Sequence, residues 1–283
     1  MADDSMLLTM KGISKTFPGV QALDNVDFSL QRGEIHALLG ENGAGKSTLI
    51  KVLTGVERQN AGVIELEGRE ILAKSPHEAQ TLGISTVYQE VNLCPNLSVA
   101  ENILLGREPH RFGGIDWRRL NARASEIMTW LDVDIDVKQS LGMYPVAVQQ
   151  MVAISRALEI SARVLILDEP TSSLAAHETA KLFAVMRKLK HEGMSVIFIT
   201  HFLDQVYEIS DRITVLRNGR LVGTYTTAGL PRVELIARMI GRDLTELEEM
   251  DKFKQAGGRQ GDQAPVLQAR DYGRVGAIDP FNL

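Results

Sequence analysis

The chain has 283 residues, 44% hydrophobic and 24% charged, with a formal net charge of −5 and a mean hydropathy of −0.05. This is a globular composition, long enough for one large domain or two small ones, and it excludes a disordered chain. No apolar run approaches the roughly 18 residues that cross a bilayer, the acidic start at 1–6 lacks a signal-peptide profile, no basic field advertises nucleic acid, and the single cysteine, Cys94, excludes an internal disulfide or a multi-cysteine zinc site.

Residues Leu7–Met10 and Asp24–Leu30 alternate as half-buried strands do. Glu34–Leu39 is a mostly apolar strand that runs into a glycine-rich turn and then a helix over Lys46–Leu53. Residues 62–68 predict another antiparallel strand, and Ile84–Tyr88 a short one ending at Gln89. From about 95 to 160 the pattern turns helical, most clearly over Ser98–Asn102 and Trp117–Trp130. Val164–Leu167 and Ser195–Thr200 read as strands inside a parallel sheet, with a helix over Ala175–His191 between them. Arg212–Arg217 and Leu221–Tyr225 flank Asn218-Gly219, a hairpin signal. The order predicts an α/β fold with an inserted helical segment and antiparallel edges.

Residues 242–263 are polar, charged and glycine-bearing, as a linker is. An internal repeat begins at about 264. Val266–Asp271 is patterned like Leu7–Gly12, Ala277-Ile278-Asp279 like Ala22-Leu23-Asp24, and Phe281-Asn282-Leu283 like Phe28-Ser29-Leu30. The expected domains are 1–241, with a helical subdomain at about 95–160, a linker at 242–263, and the start of a second, truncated unit at 264–283.

Gly40-Glu41-Asn42-Gly43-Ala44-Gly45-Lys46-Ser47 fits the phosphate-loop pattern between an apolar strand and a helix. Glycines let backbone N–H groups curl around phosphate oxygens, and the helix N-terminus adds its positive end. Residues 40–48, ending at Thr48, are therefore expected to hold ATP. Lys46 is expected to reach the β- and γ-phosphates, and the Ser47 hydroxyl to ligate Mg²⁺. The Arg163–Leu167 strand carries Asp168 and Glu169 at its carboxyl end, where open α/β sheets bind ligands. Asp168 can hold Mg²⁺, and Glu169 can polarise an attacking water.

The ordered set of phosphate loop, Gln89 after a strand, helical insert, Asp168-Glu169, and His201 after the next strand resembles the ATP-binding cassette of transporters over about residues 7–241. The resemblance implies a P-loop NTPase (RecA-like) core with an antiparallel β subdomain and an inserted helical subdomain. It makes Gln89 a loop glutamine that meets Mg²⁺ and water and senses a membrane subunit. It makes His201 a contact of the γ-phosphate and Phe17 the aromatic that stacks on adenine. Catalysis then falls to Glu169, His201, Lys46 and Gln89, and the metal to Ser47, Gln89 and Asp168. Implied partners are membrane permease subunits, a second cassette in tandem or in trans, and indirectly a periplasmic sugar-binding protein. The implied location is peripheral, on the cytoplasmic face of the membrane.

Phe17-Pro18-Gly19-Val20-Gln21-Ala22-Leu23, Val87–Leu93 and Thr200–Tyr207 look like the tandem ATPase subunits of bacterial monosaccharide importers. Two positions depart from the family pattern. The signature stretch reads Tyr144-Pro145-Val146-Ala147-Val148, where Pro145 removes a hydroxyl and an N–H. Ala175 stands where the family has an aspartate that supports contacts across a dimer. The expected reaction is Mg²⁺-dependent ATP hydrolysis, weak in this 283-residue chain alone. A non-hydrolysing regulatory role is a second reading. A cassette ATPase of DNA repair or translation is a third, and such members carry long arm insertions and basic patches that this sequence does not show.

Overall fold

The structure, a computed structural model, describes residues 5–88, 93–241, 272–274 and 278–281. Its elements in chain order are β1 (Met6–Phe17), β2 (Val20–Gln31), β3 (Ile35–Leu39), α1 (Lys46–Leu53), β4 (Ala61–Leu66), β5 (Arg69–Ile71), α2 (Pro76–Thr81), β6 (Ile84–Val87), α3 (Val99–Leu104), β7 (His110–Arg111), β8 (Gly114–Ile115), α4 (Trp117–Trp130), α5 (Val146–Glu159), β9 (Val164–Asp168), α6 (Ala176–His191), β10 (Ser195–Ile199), α7 (Leu203–Ile209), β11 (Arg212–Arg217), β12 (Arg220–Thr226), α8 (Arg232–Ile240), β13 (Tyr272–Arg274) and β14 (Ile278–Phe281). The chain divides into two units, Met1–Gly241 and Arg242–Leu283.

The central sheet has the order β12-β11-β3-β10-β9-β6. It is parallel from β11 to β6, with β12 antiparallel at one edge. The apolar runs are explained by burial on both faces. Leu165, Leu167, Val196 and Phe198 face the core built with α3, α4, α5 and α6. Val164, Ile166, Ile197 and Ile199 face the core built with α1, β1, β2 and β4. Those last three strands belong to a second, antiparallel sheet of order β2-β1-β4-β5. The α/β class, the antiparallel subdomain and the helical insert are all present.

Some expected boundaries shift for local reasons. The strand expected over 62–68 ends at Leu66, because Glu67 and Gly68 both take positive φ and turn the chain into β5. The helical stretch at 95–160 also contains the β7–β8 hairpin. Gln89, the linker 242–263 and Val266–Asp271 lie outside the described residues.

The β1–β2 and β13–β14 ladders can be compared pair by pair. In the β1–β2 ladder Ile13 pairs with Val26 and Lys15 with Leu23. In the β13–β14 ladder Tyr272 pairs with Phe281 and Arg274 with Ile278. In both, the step between pairs is two residues on the first strand and three on the second. The same bulged register recurs with a shorter connection. By that register Ile278 holds the place of Leu23, and Phe281 that of Val26.

One buried polar cluster stands behind the phosphate-loop strand. His36 in β3 is fully buried. Its Nδ1 lies 3.1 Å from Glu34 Oε1 and its Nε2 2.7 Å from Thr214 Oγ1. Arg212 reaches the same carboxylate at 3.2 Å. Burial holds the imidazole below its usual pKa of 6.5, with Arg212 acting the same way and Glu34 and Asp211 opposing. Burial pushes Glu34 up, but His36, the Gln31 N–H and Arg212 outweigh it and hold the carboxyl low. The folded chain therefore resists protonation of His36 below pH 6.5, while the unfolded chain accepts it. Stability should fall as pH drops through that range, by at most about 1.4 kcal/mol per pH unit from this one group. Urea midpoints between pH 7 and 5, compared with His36→Gln, check this; an equal slope in the variant contradicts it.

Candidate functional site

The phosphate loop leaves β3 at Gly40 and enters α1 at Lys46. Two glycines are fixed by space. A Cβ on Gly40 would lie 2.3 Å from the Leu216 carbonyl oxygen, and one on Gly45 2.9 Å from that of Ala22. Gly45 caps α1 with φ 103°, and a glycine has no side chain to take up the first amides of the helix. Lys46 Nζ donates to the carbonyls of Gly40 at 2.7 Å and Glu41 at 3.0 Å. The lysine thus folds back on its own loop and braces it.

The parallel strands β9 and β10 deliver the other groups. Asp168 ends β9, and Glu169 follows it with φ 48°. The Glu169 N–H donates to Ile199 O at 2.9 Å, which ties this residue to the end of β10. His201 lies two residues past β10, and its Nδ1 is 3.2 Å from Glu169 Oε1. Its ring packs on Phe202 with centroids 4.0 Å apart. Burial and the adjacent Glu169 carboxylate push the Asp168 carboxyl above its usual range, with Lys46 acting the other way. Burial lowers Lys46, and Glu169 and Asp168 oppose that shift. The site therefore holds two close carboxylates whose mutual repulsion a bound cation relieves.

Lys46, Asp168 and Glu169 open on one cleft of about 620 Å³. Phe17, Asn42–Thr48, Asp168 and Glu169 line it. Phe17 is half-buried at the cleft rather than in the core, with the Lys15 ammonium 4.8 Å from its ring centroid. Gly40 and Glu41 shape the loop and meet Lys46. His201 joins the site through Glu169. Sequence reading missed part of the wall. Asn218 and Gly219, read as a hairpin turn only, line the same cleft, with Val20, Gln21, Ala22 and Ile199. Gly219 N donates to Ala44 O at 3.1 Å, and Asp24 N to Gly219 O at 2.8 Å. The turn signal was visible, but its docking against the phosphate loop is a tertiary contact.

The signature stretch lies elsewhere. Pro145 is the N-cap of α5 and makes no side-chain cap. It lines a separate groove of about 480 Å³ with Ala147, Val148 and residues of α6.

A family model described as ABC transporter matches residues 23–172, just over half of the chain. The chain belongs to the ABC transporter family. It is 54% identical over 277 residues to the galactofuranose transporter ATP-binding protein YtfR of Escherichia coli (strain K12), a match covering 98% of this chain and 55% of the relative. It is 47% identical over 284 residues to the fructose import ATP-binding protein FruK of Bifidobacterium longum (strain NCC 2705), covering 100% of this chain and 55% of that one. The chain thus spans about half the length of the curated relatives it matches. Among solved structures, a nucleotide-free ATP-binding cassette from an ABC transporter aligns with TM-score 0.69 at 27% identity, over 78% of this chain and 91% of that one. The ADP conformation of another cassette aligns with TM-score 0.73 at 25% identity, over 86% and 98%. The P-loop NTPase fold of this ABC chain is that of these cassettes.

Ala175 in this ABC chain is the N-cap of α6. The Glu178 carboxylate accepts from the Ala175 N–H at 2.8 Å, which is half of a capping box. Alanine cannot supply the other half. Ala175→Asp should stabilise the chain by about 1 kcal/mol. Urea unfolding measures this, and no gain would show that the α6 terminus is already satisfied.

Proposed function

We propose that this chain is an ATP-binding and hydrolysing cassette of a monosaccharide importer, working from the cytoplasmic face of a membrane. The observation that carries the reading is the convergence of Lys46, Asp168 and Glu169 on one cleft that Phe17 also lines, with His201 held to Glu169 beside it. The names of the relatives support a monosaccharide as cargo, with galactofuranose favoured by the 54% identity. By the same reading, membrane permease subunits and a second cassette are partners, and a periplasmic sugar-binding protein acts upstream. The recurring hairpin register supports 264–283 as the opening of that second cassette.

Phe17 offers a π-face to adenine. The amides of Gly43–Thr48 and the α1 N-terminus take up phosphate oxygens. Lys46 exchanges the Gly40 and Glu41 carbonyls for β- and γ-phosphate oxygens. Glu169 orients a water for in-line attack on the γ-phosphorus and holds its proton as the bond to the bridging oxygen breaks. His201, held at Nδ1 by Glu169, presents Nε2 to the γ-phosphate.

Mg²⁺ fits the donors present. Among the described residues no cluster of three His, Cys, Asp or Glu side chains forms a metal cage. One carboxylate and one hydroxyl beside a phosphate site is what this ion takes. Asp168 and Ser47 would hold it, with Gln89 as a further ligand, and its charge would offset that of the phosphates.

The test compares turnover per cassette at saturating MgATP for the 283-residue chain and for a chain extended by a second cassette. Two copies of this chain can offer each other only a signature weakened at Pro145. The extended chain should turn over at least about tenfold faster, about 1.4 kcal/mol lower in barrier. Equal rates would show the single cassette to be self-sufficient, and no MgATP binding by either would overturn the assignment.

A further inference from the structure

The β7–β8 hairpin breaks a rule that another hairpin of the chain keeps. Its two-residue turn, Phe112–Gly113, has positive φ at both positions, 53° and 85°. The β11–β12 turn meets the same demand with Asn218–Gly219, at 50° and 74°. Asparagine tolerates left-handed backbone, whereas a bulky side chain is strained there. Phe112 gains no burial in return, since it is 97% exposed. Leu105, Ile115 and Trp117, near it in the chain, are exposed as well.

Arginines stand between these apolar groups. Arg107, Arg111, Arg118 and Arg119 are exposed. The Arg111 guanidinium lies 5.2 Å from the Phe112 ring centroid. Among the described residues none of the four is ion-paired, whereas Arg123 further along α4 is held by Glu126 and Glu159. The two acids of the segment are turned to the backbone. Asp116 accepts from Arg119 N at 3.1 Å, and Glu108 from Gly106 N at 2.9 Å. An exposed segment rich in arginine and aromatic side chains thus belongs to a chain of net charge −5.

We propose that the β7–β8 hairpin and the first turn of α4 dock on an anionic lipid bilayer, with Phe112 entering the headgroup region and Arg107, Arg111, Arg118 and Arg119 meeting lipid phosphates. Aromatic rings and arginines side by side are the residues that settle at a membrane interface. The positive face draws an anionic surface to this side of an acidic chain. A single ring at the apex of a narrow turn suits a medium that deforms around it. A protein partner would need a matching pocket and a broader contact. The contact rests on the peripheral-membrane reading above, to which it adds a direct grip on lipid.

Flotation of the 283-residue chain with vesicles tests it. Vesicles of phosphatidylcholine mixed with phosphatidylglycerol should carry the chain, phosphatidylcholine alone should not, and added salt should release it. Arg118→Ala and Arg119→Ala should each weaken binding about fivefold, the equivalent of about 1 kcal/mol. Phe112→Asn should weaken binding about tenfold while raising thermal stability, because asparagine fits the turn. Equal binding to both vesicles, no binding to either, or undiminished binding of Phe112→Asn overturns the proposal. So does a lower melting temperature for that variant, which would mark the ring as structural. A photo-crosslinker at position 112 that labels protein and not lipid in native membranes overturns it in favour of an acidic protein partner. MgATP binding measured on the same samples keeps the two readings apart. Its loss with vesicle binding intact overturns the ATPase reading alone, and the reverse result overturns only the lipid contact.

Discussion

Glutamine in place of Glu169 is expected to leave MgATP affinity nearly unchanged and to cut turnover by about 10²- to 10⁴-fold. The reason lies in what the substitution keeps. The amide has the shape of the carboxylate and can still pair with His201 Nδ1, now 3.2 Å from Oε1. The backbone at φ 48° and the N–H bond to Ile199 O are untouched. What disappears is a group that can hold a proton from the attacking water. Rapid-quench turnover and calorimetric binding, run on the chain extended by a second cassette, separate the two quantities. Wild-type turnover in the variant would remove Glu169 from the role of base. A matching loss of affinity would mean instead that the carboxylate builds the nucleotide site.

Lys46→Ala has its largest effect on binding. The lysine is half-buried and already lowered by that burial, so its charge is poorly screened by water. A hydrogen bond from such a charged donor contributes about 1.5–3 kcal/mol, which predicts a loss of about tenfold to hundredfold in MgATP affinity. The variant also loses the two bonds to Gly40 O and Glu41 O that brace the empty loop. Thermal unfolding without nucleotide should therefore drop slightly, and the rise on adding MgATP should shrink far more. Unchanged calorimetric affinity would contradict the placement of nucleotide in this loop.

Much of this site is legible in the sequence because its signals are local. Gly40, Gly45 and Lys46 act through contiguous backbone, and the α1 helix begins and ends where the residues predict. Asp168 and Glu169 are legible because a fully apolar strand must end somewhere, and these acids mark the end. What the sequence hides is contact between distant segments. Asn218-Gly219 announces a turn but not that the turn packs on Ala44. His36 sits in an apolar run, and its partner Thr214 is 178 residues away. The β7–β8 hairpin is concealed by helix-compatible neighbours and by a phenylalanine where turn chemistry favours asparagine. The β13–β14 register is equally hidden, because its place is set by a bulge and not by residue identity.

The tips of the β7–β8 and β11–β12 hairpins also differ in what they can tolerate. Exposed turns are ordinarily where a domain accepts foreign sequence, because nothing else depends on their backbone. Phe112–Gly113 meets that description, and a Cβ on Gly113 would touch nothing. Gly219 does not, since it is buried, donates to Ala44 O and accepts from Asp24 N. A Cβ there would come within 2.7 Å of the Ala22 carbonyl oxygen. An epitope tag or a fluorescent domain spliced at 112–113 leaves the nucleotide loop undisturbed, whereas the same splice at 218–219 pulls out a strut that both the 22–24 stretch and the phosphate loop lean on.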